Sequence, residues 1–117
     1  MGNINKIRNE TKIPSVIANE QGIITDINKV FETVFGWEKS EAIGKPLTII
    51  IPKNLQDAHH LGFSRFITSG KPTLLNKPLS LRTITKNGEE FDAEHYIVAE
   101  KENDKWIFGA TIRPLKE

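Results

Sequence analysis

Apolar residues along the chain fall into short runs separated by turn-forming residues. Residues 13–18 and 23–27 are two such runs, and Asn19-Glu20-Gln21-Gly22 between them marks a β-hairpin. Val30, Phe31, Val34 and Phe35 then recur at helical spacing, with Asn28 placed to cap the helix and Gly36 to stop it. A second short helix over 38–43 ends at Gly44-Lys45-Pro46, and the apolar run 47–51 halts at Pro52. Residues 54–69 form the longest predicted helix, with Leu55, Phe63, Phe66 and Ile67 on one face. Strands follow at 79–85 and 90–99, joined through Lys86-Asn87-Gly88-Glu89, whose Asn-Gly pair is a strong hairpin signal. A charged turn over 101–105 leads to a last strand, 106–112. Residues 1–12 are polar except Ile4 and Ile7, whose i, i+3 spacing suits a short flanking helix or a frayed terminus. The order predicts an α+β fold, a five-stranded antiparallel sheet with short helices packed on one face.

Composition narrows the function classes. The chain has 117 residues, enough for one domain with one core. Sixteen basic against fifteen acidic side chains leave a net charge of +1, which provides no field for nucleic acid or an anionic membrane. No apolar run approaches the ~18 residues of a membrane span, and no apolar leader opens the chain, so the expected location is the cytoplasm. Cysteine is absent, which excludes disulfides, thiolate catalysis and cysteine metal sites. No glycine-rich phosphate loop and no Ser-His-Asp or paired-carboxylate arrangement can be assembled, so no enzyme is expected. Asp57, His59, His60 and His95 do not make a metal cluster either, because adjacent histidines diverge on a helix.

Two histidines stand out as candidate ligand-binding residues. On the predicted long helix, His59 has Leu55 at i−4 and Phe63 at i+4, with Phe66 and Ile67 a turn further on. His60 is turned by about 100° to a more polar side. On the fourth strand, Phe91, Ala93, His95, Ile97 and Ala99 share one face by parity, opposite Asp92, Glu94, Tyr96, Val98 and Glu100. The first set should face a pocket, with Leu79, Leu81, Phe108, Ala110 and Ile112 from the flanking strands. Ala93, Ala99 and Ala110 are small and leave room there. The stripe of Phe31, Phe35, Phe63, Phe66 and Phe108 reads as plain core.

The motifs together resemble the PAS family of sensory domains. They are Asp26 and Asn28, Phe35-Gly36-Trp37-Glu38, Glu41, Ile43-Gly44-Lys45 and Pro52 in the first half. In the second half they are the Lys86-Asn87-Gly88 hairpin with Phe91 and a last strand ending in Arg113. The resemblance covers residues 13–115 and leaves 1–12 as a flanking segment. The stretch IPKNLQDAHHLGFSRF resembles the long helix of haem-binding PAS oxygen sensors. That likeness implies a gas or redox sensor with b-type haem, His59 as the axial iron ligand, and His95 as a second ligand or a donor to a bound gas. The pocket would then include Leu55, Phe63, Phe66, Leu79, Leu81, Ile97, Phe108 and Ala110. The chain departs from those sensors at Lys77–Arg82, where the pocket positions are apolar and Arg82 lies on the opposite parity. Flavin is open as a cofactor only without a thiol adduct. The alternative is a cofactor-free interaction module that forms a homodimer through the outer sheet face, the Ile4/Ile7 segment, Ile107 and Thr111. Either way the resemblance implies an attached effector such as a histidine kinase, a chemoreceptor or a cyclase, with no direct membrane contact.

Overall fold

One side-chain amide, that of Asn28, ties the start of the chain to the helical layer. In the computed structural model, which describes residues 3–57 and 78–115, Asn28 caps helix α2 (Lys29–Phe35) by accepting from the Phe31 N–H at 2.9 Å. The same Oδ1 accepts from the Ser15 N–H at 3.0 Å. Its Nδ2 donates to the Glu10 and Ile13 carbonyls at 3.0 and 2.8 Å. Each of these backbone groups would otherwise need another partner, so one residue satisfies the cap and the chain crossing together. Gly36 ends α2 in the left-handed region at φ 79°, as its position in the sequence predicts.

The sheet has the order β2-β1-β5-β4-β3, and every neighbouring pair is antiparallel. Its strands are β1 (Ser15–Ala18), β2 (Ile24–Ile27), β3 (Pro78–Ile84), β4 (Glu90–Glu102) and β5 (Lys105–Pro114). β4 and β5 run beyond the predicted ends, because Glu100, Lys101 and Glu102 pair with Ile107, Trp106 and Lys105. Asn103 and Asp104 close that hairpin alone, at φ 52° and 65°, the backbone that a two-residue turn of this hand requires. The next helix, α3 (Lys39–Ala42), opens with a capping box between Glu38 and Glu41. The apolar run after it forms a 3-10 helix, Leu47–Ile50.

Strand parity divides the sheet into two apolar faces. The inner face packs Val16, Ala93 and Ile112 against Phe31, Phe35, Ala42 and Ile50 of the helical layer. The sequence pattern placed all helices on that side, yet α1 (Asn3–Arg8) lies on the other face. There Ile4 and Ile7, 1% and 5% exposed, pack with Ile17 and Val98, with Ile107 alongside. Ile4 and Ile7 are therefore buried within their own chain rather than offered to a second copy. A six-residue helix is not stable alone, so docking is what holds it. Gly109 makes the docking close, because a Cβ there would sit 3.0 Å from Ile4 Cδ1 and 3.2 Å from Ile17 Cδ1.

Two substitutions test this framework by urea denaturation. Gly109→Val should cost about 1–3 kcal/mol through overpacking, and adding Ile4→Ala should recover part of that loss. Asn28→Ala should cost about 2 kcal/mol or more, whereas Asn28→Asp keeps the cap and loses only the two donated bonds.

Candidate functional site

The inner face is not filled evenly. At the end nearest the β3–β4 hairpin, Phe31 and Phe35 stack at 4.6 Å between ring centres, and Phe35 meets Phe91 at 5.5 Å. Phe31, Phe35, Ala42 and Ala93 are fully covered, so that end is closed core. Further along β4 the face passes to His95, Ile97 and Ala99, the parity read from the sequence. His95 is 4% exposed and lies in register between Leu79 of β3 and Ile112 of β5. Ile97 pairs with Ala110 and Ala99 with Phe108. Leu79, Ile97 and Ala110 are half-buried and Phe108 is buried. These residues come together as one apolar surface around a buried imidazole.

Other expected site residues are placed differently. Leu81, paired with Ala93, is on the inner face but 40% exposed, so the edge strand leaves it incompletely covered. Leu55 is 39% exposed. The cause is local: the predicted helix opens with a 3-10 turn, Lys53–Leu55, and only Gln56 enters α-helical backbone. A 3-10 turn has 3.0 residues per turn, so Lys53–Leu55 do not follow α-helical spacing. His59, Phe63 and Phe66, and His60 with them, lie outside the described residues, as does nearly all of the predicted helix 54–69. Arg82 points away from the inner face as expected, bonded to Asp92 at 3.2 Å and Glu90 at 3.4 Å. Those two carboxylates, Asp92 first, raise its already high pKa. Among the described residues no group of three or more His, Cys, Asp or Glu is arranged to hold a metal ion.

Pattern reading missed one constellation. Lys86, at the tip of the β3–β4 hairpin, donates its backbone N–H to the Phe35 carbonyl at 2.9 Å. Its Nζ bonds Glu41 at 2.7 Å and stands 5.3 Å from the Trp37 ring centre. Glu41 also accepts from the Glu38 N–H at 3.0 Å. The Lys86 bond, and after it the Glu38 N–H, hold the Glu41 carboxyl below the ordinary carboxylate value. The hairpin is thereby clasped to the corner between α2 and α3. Glu41 and Lys86 are 45 residues apart, so only the fold joins them. A similar bond from Lys39 to Asp26 at 2.8 Å raises the Lys39 pKa and fastens α3 to β2.

The profile of the PAS domain family matches residues 13–113. The chain belongs to the PAS family. Its fold is that of the crystallised PAS domain from Colwellia psychrerythraea, at 20% identity and a TM-score of 0.74, covering 96% of this chain and 93% of that one. It is also that of a PAS domain from a two-component sensor histidine kinase, at 12% identity and TM-score 0.72, covering 96% and 93%. The light-oxygen-voltage protein of Rhodobacter sphaeroides is similar again, at 13% and 0.72 over 96% and 66%. Among curated sequences the chain is 29% identical over 110 residues to an uncharacterised Azorhizobium caulinodans protein. It is 24% identical over 102 residues to the sensor protein FixL of Bradyrhizobium diazoefficiens. The matches cover 92% and 87% of this chain but only 15% and 20% of those proteins. The proteins it resembles thus include a sensor protein and a two-component sensor histidine kinase. Among the described residues no helix is long and apolar enough to cross a membrane.

The Glu41 clasp gives a signed pH dependence. Because its carboxyl is depressed in the fold, its bond to Lys86 contributes at pH above the unfolded value and is lost as pH falls through the folded one. Glu41→Gln should therefore lower stability at about pH 7, and the deficit should shrink as pH falls below the ordinary carboxylate range, read as urea midpoints of the two chains.

Proposed function

We propose that this PAS domain is the ligand-sensing unit of a larger signalling protein, with b-type haem as its ligand. The observation that supports this most is the imidazole of His95, buried in an apolar strand face whose neighbours Leu79 and Leu81 are incompletely covered. The residues fit a flat, largely apolar macrocycle: Ile97, Phe108 and Ala110 supply an oily surface, and Ala93 and Ala99 add no bulk. A haem iron takes a neutral imidazole nitrogen as ligand and, when bound, supplies a centre for diatomic gas or redox change. In this reading His59 holds the iron axially and His95 serves as second ligand or as donor to a bound gas. Leu79, Leu81, Ile97 and Phe108 keep water from the face. The similarity to the sensor protein FixL runs the same way.

The domain in this reading binds and signals in the cytoplasm and catalyses no reaction. β4 and β5 carry the ligand face on one side and the α1 contact on the other. A ligand that favours one setting of these strands biases an attached effector such as a histidine kinase, a chemoreceptor or a cyclase, by no more than its differential affinity for the two states. Homodimerisation belongs to the same proposal.

Titration of the purified chain with haem should give a Soret band saturating at one haem per domain. His59→Ala should remove the band, and His95→Leu should shift it. A chain that stays colourless, with an unfolding temperature that haem leaves unchanged, would overturn the haem reading. It would leave the cofactor-free interaction module as the reading.

A further inference from the structure

The tip of the β3–β4 hairpin carries chemistry that the ligand face does not use. Of the nine asparagines in the chain, Asn87 alone is followed by glycine. Both Asn87 and Gly88 are exposed to water. Gly88 has φ 91°, and a Cβ built on it would meet nothing within 4 Å. Gly88 therefore sets no side chain against the Asn87 amide, and no neighbouring element crowds the space beside its Cα. Asparagine is a thermolabile residue, and the usual protection against its loss is bulk on the following residue.

We propose that Asn87 is a site of spontaneous covalent modification, converting to aspartate and isoaspartate through an imide closed by the Gly88 backbone nitrogen. The Gly88 N–H gives its proton to solvent base and the nitrogen attacks Asn87 Cγ. The N–Cγ bond forms, the Cγ–Nδ2 bond breaks and ammonia leaves. Water then opens the five-membered imide. Attack at Cγ gives aspartate with the backbone unchanged. Attack at the main-chain carbonyl gives isoaspartate, with the backbone routed through Cβ and Cγ. One water is consumed and one ammonia released.

The turn sets both the rate and the consequence. Gly88 N–H donates to the Thr85 carbonyl at 3.0 Å, and Thr85 N–H to the Glu89 carbonyl at 2.9 Å. The first of these bonds must open before the nitrogen can attack, so conversion follows local opening of the tip. Isoaspartate lengthens the backbone inside that bonded loop by one methylene, and both bonds cannot then be kept. Lys86, adjacent to the modified residue, loses the backbone setting that presents it to Phe35, Glu41 and Trp37. Aspartate at the same position leaves the backbone length, and so the clasp, in place.

The folded chain and the same chain in urea are incubated side by side in neutral to mildly alkaline buffer, and peptides are followed by mass spectrometry. In the folded chain Asn87 should exchange its NH2 for OH several-fold faster than any of the other eight asparagines, yet more slowly than in urea. Asn87→Ser should abolish the change. An Asn87 amide that persists in the folded chain while the denatured chain converts would overturn the proposal. The consequence is read from the Glu41 carboxyl by carbon NMR. Its titration should move up toward the ordinary value in the isoaspartyl fraction and remain depressed in Asn87→Asp; a depressed titration in both would refute the loosening of the clasp.

Discussion

Alternation along β5 is the constraint on which the rest of the structure depends. Its neighbours on the two sides are β1 and β4, so it lies at the centre of the sheet. Phe108, Ala110 and Ile112 face the helical layer, while Ile107 and Gly109 face α1. A one-residue slip would exchange the two sets and put Phe108 where only glycine fits. Ile17 and Val98, in register with Gly109 on either side, are held on the α1 face by the same parity. The inner face and the outer helix are thus fixed by one register.

That register also decides what the inner face can hold. The Phe31–Phe35–Phe91 group closes one end, and side chains alone account for its packing. The other end gathers an imidazole and small or half-covered apolar residues, the surface proposed as the ligand seat. A buried imidazole among aliphatic neighbours is the side chain on which the proposed ligand reading turns. The Lys86 clasp and the Asn28 amide bind the helical layer to the sheet at separate points, so the seat is framed by polar anchors as well as by packing.

Local chemistry made much of this legible in the sequence. Asn28 and Gly36 were readable because a cap and a left-handed stop need particular residue types at particular positions. The inward set on β4 was readable because period-2 alternation survives from Phe91 to Ala99. The strand ends were not, because Glu100, Lys101 and Glu102 pair in a two-stranded ribbon beyond the core, where no face need be apolar. Lys101 there packs its ammonium 5.2 Å from the Trp106 ring centre, a contact that pairing alone creates. The docking of α1 was hidden because it depends on the notch at Gly109, about a hundred residues away in sequence. The 3-10 turn at Lys53–Leu55 was not legible, because apolar spacing does not separate such a turn from the first turn of an α-helix.

The central claim is that one register makes a closed outer face and a ligand seat on the inner one. Titration of isotope-labelled protein with zinc protoporphyrin, a diamagnetic analogue of haem, tests it residue by residue in amide and methyl NMR spectra. The account predicts shifts at Leu79, His95, Ile97 and Ala110, with Ile4, Ile7, Ile17 and Val98 changed little. Shifts centred on the α1 face, or none at saturating porphyrin, would contradict it.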